Sequence, residues 1–162
     1  MRCKICHNNK TQDVLNLKKQ PLANKYPKNK LEIRKEYKFN LKVCFCEKCK
    51  SAQIKKIIDR KLMFTDYYYL SSVNKGLVDH FNKLAKKLKN SNFVLDIGSN
   101  DGILLAPLKK LGIKAIGVDP SINVGKMANK KGLKTIIDFF NVKVIEKITK
   151  EYSKPDTIVA SS

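Results

Sequence analysis

The sequence has no tryptophan, three arginines, two histidines and no glycine before Gly76. Each shortage excludes something. With arginine confined to Arg2, Arg34 and Arg60, 31 of the 34 basic residues are lysine. Readers of bases and phosphates favour the planar arginine fork, and these lysines are spread along the chain instead of forming one stripe. The net charge of +20 is therefore read as a lysine-coated surface that draws acidic small molecules, and not as a nucleic-acid footprint. The two histidines, His7 and His80, leave little imidazole for acid–base chemistry. No apolar run approaches the roughly 20 residues needed to cross a bilayer. The N-terminal "MRCKICHNNK" has no apolar signal-peptide centre. The sequence predicts a cytoplasmic protein without a membrane partner.

What is present is organised in three parts. Residues 1–66 hold all five cysteines, 67–92 form a connector that becomes helical, and 93–162 alternate strands with helices. Cys3 and Cys6 make one CxxC, Cys46 and Cys49 a second, and Cys44 is left over. In a cytosolic chain, paired CxxC motifs point to a metal before disulfides. Two such turns supply four thiolates to a tetrahedral zinc ion, which leaves no open position and makes the metal structural. Cys44 competes poorly because CxC is an inferior chelating turn, and His7 is disfavoured by adjacency to Cys6. A module of about 60 residues buries a marginal core, and structural zinc contributes on the order of 10–16 kcal/mol. In "KFNLKVCFC" the alternation places Phe39, Leu41, Val43 and Phe45 on the apolar face of a strand. "PLANKYP", Pro21 to Pro27, reads as an extended or turning connection.

In the connector, Leu77, Phe81, Leu84 and Leu88 recur at helical spacing with lysines opposite. The last part predicts strand 93–97, helix 101–111, strand 115–118, helix 122–131, strand 134–137, helix 139–150 and strand 156–160. This is an α/β arrangement with a parallel sheet. Pro107 is awkward inside the first of these helices and implies a kink or a later start.

The stretch "VLDIGSNDGILL", Val94 to Leu105, joins the first strand to its helix. It fails the dinucleotide fingerprint, because Asn100 and Ile103 stand where glycines are needed. No Gly-Lys-Ser/Thr follows, so it is not a phosphate loop either. An acid, Asp96, precedes Gly98 by two residues and suits a ligand ammonium group. Gly98 and Gly102 permit close approach to the backbone. Asp119 ends the next strand, where an acid accepts hydrogen bonds from both ribose hydroxyls. Asp138 and Phe139 follow the third strand, where an adenine edge and face are read. An amino acid joined to a ribose and adenine describes S-adenosylmethionine.

The order "CKIC…PLANKYP…VCFCEKCKSAQI…FTDYYYLSS…DHF…VLDIGSNDGILL…GVDPS…FF" resembles the sugar C-methyltransferases that carry an N-terminal zinc-binding domain. The specific parts are PLAN, the second CxxC followed four residues later by Gln53, the tyrosine–serine segment, and DIGSNDG. Lys50 stands where that family has glycine. The resemblance implies zinc on Cys3, Cys6, Cys46 and Cys49, an incomplete Rossmann-like methyltransferase domain over 93–162, and S-adenosylmethionine lined by Asp96, Gly98, Asn100 and Asp119. It implies that Tyr67 or Tyr69 faces the active site and that the substrate is a nucleotide-linked keto-deoxysugar. His80 matches a family histidine, but it lies beside the packing face of its helix and reads as structural. The family's general base, a histidine after a glutamate, has no counterpart among His7 and His80. The implied reading is the front part of such an enzyme, inactive alone, with a separately encoded C-terminal half as a possible partner. The alternative from residues 1–66 is a zinc-ribbon module that grips nucleic acid or protein.

Overall fold

The computed structural model describes residues 1–161. Contacts divide the chain into two compact units, Met1–Met63 and the residues from Phe64 onward.

The first unit is built on a three-stranded antiparallel sheet in the order β1-β2-β3, with β1 Gln12–Pro21, β2 Lys38–Cys46 and β3 Ser51–Ile54. A short helix α1, Lys30–Arg34, lies between β1 and β2, capped by Asn29, whose side chain accepts from the N–H of Glu32. A second short helix α2, Arg60–Phe64, spans the junction of the units. Strand β1 has no clean period-two signature. Its register slips twice against β2, Lys18 takes a positive φ of 58°, and Val14, Leu15 and Leu17 stay exposed. Bulges of this kind break the alternation on which strand reading depends. The "KFNLKVCFC" strand forms as predicted, but its buried face is the opposite one. Cys44 and Cys46 are fully buried, whereas Phe39, Leu41, Val43 and Phe45 are only half-buried. The cysteines face the metal-ligand turns, and that outweighs the hydropathy of the aromatic face.

The second unit opens with a 3₁₀ turn, Ser71–Val73, and helix α3, Lys75–Lys87, capped by Asn74. A parallel sheet of order β6-β5-β4-β7 follows. Its elements run β4 Phe93–Ile97, α4 Leu105–Lys110, β5 Lys114–Asp119, α5 Ile122–Lys130, β6 Thr135–Ile137, α6 Val142–Glu151 and β7 Thr157–Ala160. On one sheet face Val94 packs with Phe81 and Ala85 of α3, Leu108 of α4 and Leu104 from the turn before α4. On the other, Leu95, Ile116 and Val118 pack with Val144 and Ile148 of α6. The near-continuous apolar run of β4 is what a strand buried on both faces requires.

Helix α4 starts four residues later than the 101–111 predicted. Pro107 explains the difference. It occupies the third position of the observed helix, within the first turn, where a missing N–H breaks no helical hydrogen bond. Helix α6 likewise starts at Val142 and not at 139, because Asn141 caps it by accepting from the N–H of Val144.

Candidate metal centre and cofactor cleft

The metal centre belongs to the first unit. Cys3, Cys6, Cys46 and Cys49 bring their sulfurs within 4.8 Å of one another. Cys3 Sγ lies 3.6 Å from Cys49 Sγ, and Cys6 Sγ lies 3.6 Å from Cys46 Sγ. These separations are far beyond the ~2.05 Å of a disulfide. They match the roughly 3.8 Å edge of a tetrahedron whose centre is ~2.3 Å from each sulfur, the zinc–thiolate length. The four residues therefore fit a zinc ion. Cys44 lies outside this group and donates its thiol to the Gln53 carbonyl at 3.5 Å.

The two CxxC turns repeat one geometry. His7 N–H donates to Cys3 O and Lys50 N–H to Cys46 O, at 3.1 and 2.8 Å. His7 and Lys50, each just past its turn, both have φ of 58°. That is the left-handed region where glycine is cheapest, which accounts for glycine as the usual residue at the Lys50 position. In each turn backbone N–H groups converge on the first cysteine. Burial pushes Cys3 up, but the N–H of Cys6, the Gln53 amide and the N–H of Ile5 outweigh it and hold the thiol at about 5. At Cys46 the N–H of Cys49 leads the same downward shift. Cys6 goes the other way. The N–H of Asn8 lowers it, but burial and the neighbouring thiols push it up to about 11. Four sulfurs this close cannot all ionise without a cation among them.

The cofactor cleft lies at the C-terminal ends of β4 and β5 in the second unit. This is where open parallel sheets bind ligands. Asp96, on β4, is 3% exposed, and its carboxyl has no hydrogen-bond partner among the described residues. Burial first, and then the charge of Asp119, push its carboxyl up to about 7. A carboxyl in that state is paired by a ligand cation at little desolvation cost. Asp119, at the end of β5, is also buried but well satisfied. One oxygen accepts from Asn100 N–H and the other from Ser121 N–H, each at 2.8 Å. Its carboxylate thus ties the glycine turn to the start of α5, and each oxygen keeps a further lone pair for a hydroxyl.

The glycine turn itself is crowded from below. A Cβ on Gly102, where φ is 83°, would come within 2.5 Å of Leu133, so packing and backbone conformation both require glycine there. Gly98, φ 75°, is exposed. A Cβ on Gly117 would sit 2.3 Å from Ser99 Oγ. Ser99 occupies the space that β5 leaves open, and its buried hydroxyl has no partner among the described residues. Asp138 is exposed and Phe139 half-buried, just past β6.

The structure gives Asn100 an engagement the sequence did not reveal. Its side-chain amide faces the tyrosine–serine segment, donating to Tyr69 O at 3.1 Å and accepting from Ser71 N–H at 2.9 Å. Asn123, in the first turn of α5, does the same for Tyr67, accepting from its N–H at 3.1 Å and donating to its carbonyl at 2.7 Å. Ile122 N–H donates to Thr65 O at 2.9 Å, and buried Asp101 accepts from the backbone and hydroxyl of Ser72. Residues 65–72 are thereby fastened beside the strand ends, with the Tyr69 ring exposed. His80 is exposed on α3 with its ring edge-on to Phe81. Asn123 carried no signal in the sequence, since an asparagine early in a helix reads as part of a cap.

A strand–glycine-turn–helix cleft with paired acids at adjoining strand ends marks a nucleotide-type binding domain in the second unit, and the first unit is a four-cysteine module. Residues 69–162 match the methyltransferase domain family, and the chain belongs to that family. Residues 3–64 match the family described as "Putative zinc binding domain". The chain is similar to the C-methyltransferase NovU of Streptomyces niveus, at 28% identity over 152 residues that cover 90% of this chain and 36% of NovU. The chain thus spans about a third of the length of that curated relative. Among solved structures, the SAM dependent methyltransferase of Archaeoglobus fulgidus is 25% identical, covering 47% of this chain and 32% of its own, with a TM-score of 0.38. The SAM dependent methyltransferase of Agrobacterium tumefaciens is 19% identical, covering 60% of this chain and 35% of its own, with a TM-score of 0.44. Among the described residues no helix is long and apolar enough to cross a membrane.

Proposed function

We propose that this chain binds S-adenosylmethionine at the ends of β4 and β5 and serves methyl transfer to a carbon of a nucleotide-linked keto-deoxysugar, with zinc holding its N-terminal module. The observation that carries the reading is the pair of buried carboxyls, Asp96 and Asp119, on neighbouring strand ends either side of the glycine turn. S-adenosylmethionine supplies an electrophilic methyl group when bound. Asp96 meets its ammonium group, Asp119 accepts from its ribose hydroxyls, and Asp138 with Phe139 reads the adenine. Tyr67 and Tyr69, fixed through their backbones by Asn123 and Asn100, face the substrate. The likeness to NovU supports a sugar carbon as acceptor. Carbon methylation also needs a base to remove the proton beside the ketone, within hydrogen-bond reach of it.

Amide chemical shifts of the full chain, followed while S-adenosylhomocysteine is added, test the binding step even when it is weak. Shifts should concentrate at residues 96–102 and 119–121. Asp119→Ala should weaken them by the loss of charged hydrogen bonds, about 1.5–3 kcal/mol. No shifts, or shifts confined elsewhere, would overturn the assignment.

A further inference from the structure

Gln53 stands out in the sequence as the residue four positions after the second CxxC, and neither metal ligation nor methyl transfer explains it. Its place in the sheet does. On β2 and β3 the register pairs Cys44 with Gln53 and Cys46 with Ser51, so period-two alternation sets all four side chains on one face. The first CxxC turn lies over that face. Gln53 Oε1 accepts from Lys4 N–H, inside the first turn, at 2.9 Å. Its Nε2 donates to Cys3 Sγ at 2.9 Å and to Ser51 Oγ at 2.6 Å. The Ser51 hydroxyl, its lone pair thus engaged, lies 3.0 Å from Cys49 Sγ and has its own proton to give. One amide and one hydroxyl therefore deliver a hydrogen bond to one sulfur of each CxxC turn.

We infer that Gln53 and Ser51 form an outer-shell clamp that joins the two CxxC turns and neutralises part of the negative charge on the zinc-bound thiolates. The inference rests on the reading of the four cysteines as a zinc site. Four thiolates around one dication carry a net charge of −2, and N–H or O–H donors to sulfur offset that excess. Backbone N–H groups serve Cys3 and Cys46, but Cys49 has the Ser51 hydroxyl as its side-chain donor. The buried Cys44 thiol, donating to the Gln53 carbonyl, steadies the strand position from which the amide reaches. Gln53 and Ser51 are positioning residues, touching the ligands and not the metal.

The test uses the full chain with Gln53→Met, which keeps the length of the side chain and removes donor and acceptor together, and Ser51→Ala, which removes only the hydroxyl. Zinc affinity is measured by competition with a chromophoric chelator. Cobalt(II) substitution then reads the sulfur-to-metal charge-transfer band. Q53M should lose roughly 10–100-fold in zinc affinity, the usual effect of removing an outer-shell partner. Its cobalt band should move to lower energy, because sulfurs stripped of a donor give up electrons more readily. S51A should move the band the same way by less. Affinity within about twofold of wild type and an unmoved band in Q53M would overturn the clamp. If Q53M does not fold, an unmoved band in S51A overturns it on its own. Wild-type protein that takes up neither zinc nor cobalt would instead refute the metal site itself.

Discussion

From Phe64 onward the molecule is held by three apolar clusters between a parallel sheet and its helices. In Met1–Met63 the buried apolar side chains are Cys3, Leu22, Cys44, Cys46 and Ile58. Three of those five are cysteines. The first unit has hydrophobic residues in plenty, but Val14, Leu15, Leu17, Ile54 and Ile57 remain exposed. The second unit leaves Val73, Val142 and Ile158 exposed too, but it also buries Val94, Leu95, Ile116, Val118, Leu108 and Ile148 against its sheet. The contrast is between a sheet whose buried apolar side chains are mostly cysteines and one packed on both faces by helices. A ligand set organises only the residues around it, so it does not demand that every apolar side chain be covered.

Removing the metal should break the comparison most sharply. Chelation, or Cys3→Ser and Cys49→Ser, should abolish hydrogen-exchange protection in β1–β3 while β4–β7 keep theirs, because binding worth on the order of 10–16 kcal/mol is also folding energy. Cys44→Ser should keep the zinc. Equal loss in all three variants would mean that the fifth cysteine is a ligand after all.

The complementary change lies in the second unit. Leu108 is fully buried under β4, and Leu108→Ala should cost about 2–5 kcal/mol. Chemical denaturation of the second unit should show the loss, with zinc content unchanged. Asp96 gives a smaller, pH-dependent effect. Burial, and then the charge of Asp119, push its folded carboxyl from the ordinary 3.8 up to about 7. Between those values the folded state holds a proton that the unfolded state has released, so stability falls as pH rises through that window and levels off above it. Asp96→Asn should flatten this slope, matching wild type near the acid end and exceeding it at pH 8. Urea midpoints across the window would show it, and a wild-type curve with no slope would remove the buried-carboxyl argument. Smallest of all, His80→Ala should change stability by no more than about 0.5 kcal/mol, as for an exposed side chain away from any cap or network. A thermal melt of the variant checks this.

How much of this was legible depended on the kind of signal. The first strand of the second unit announced itself, because burial on both faces demands a near-continuous apolar run, broken in Phe93–Ile97 only by Asp96. The clustering of Cys3, Cys6, Cys46 and Cys49 was readable from spacing alone. Strand β1 was not, since its bulges scramble the alternation. The start of α4 was misplaced by the glycine turn's apolar Ile103 and Leu104, which look helical in sequence and pack into the core from a turn. The backbone clamps of Asn100 and Asn123, and the reach of Gln53, join residues 29 to 56 positions apart. Pairings at that distance leave no periodic trace.

Pro107 limits how far order can spread. A helix grows by adding hydrogen bonds one at a time at either end, and nothing in Ile103 or Leu104 would halt growth toward Gly98. The proline ring lacks the N–H that the Ile103 carbonyl would need, and its bulk presses on that carbonyl. It acts as a one-way stop: α4 can fray or firm at its C-terminal end while Asp101 to Leu104 stay outside it. Pro107 thus opposes winding of the loop from the helix side, as the left-handed Gly102 does from within it.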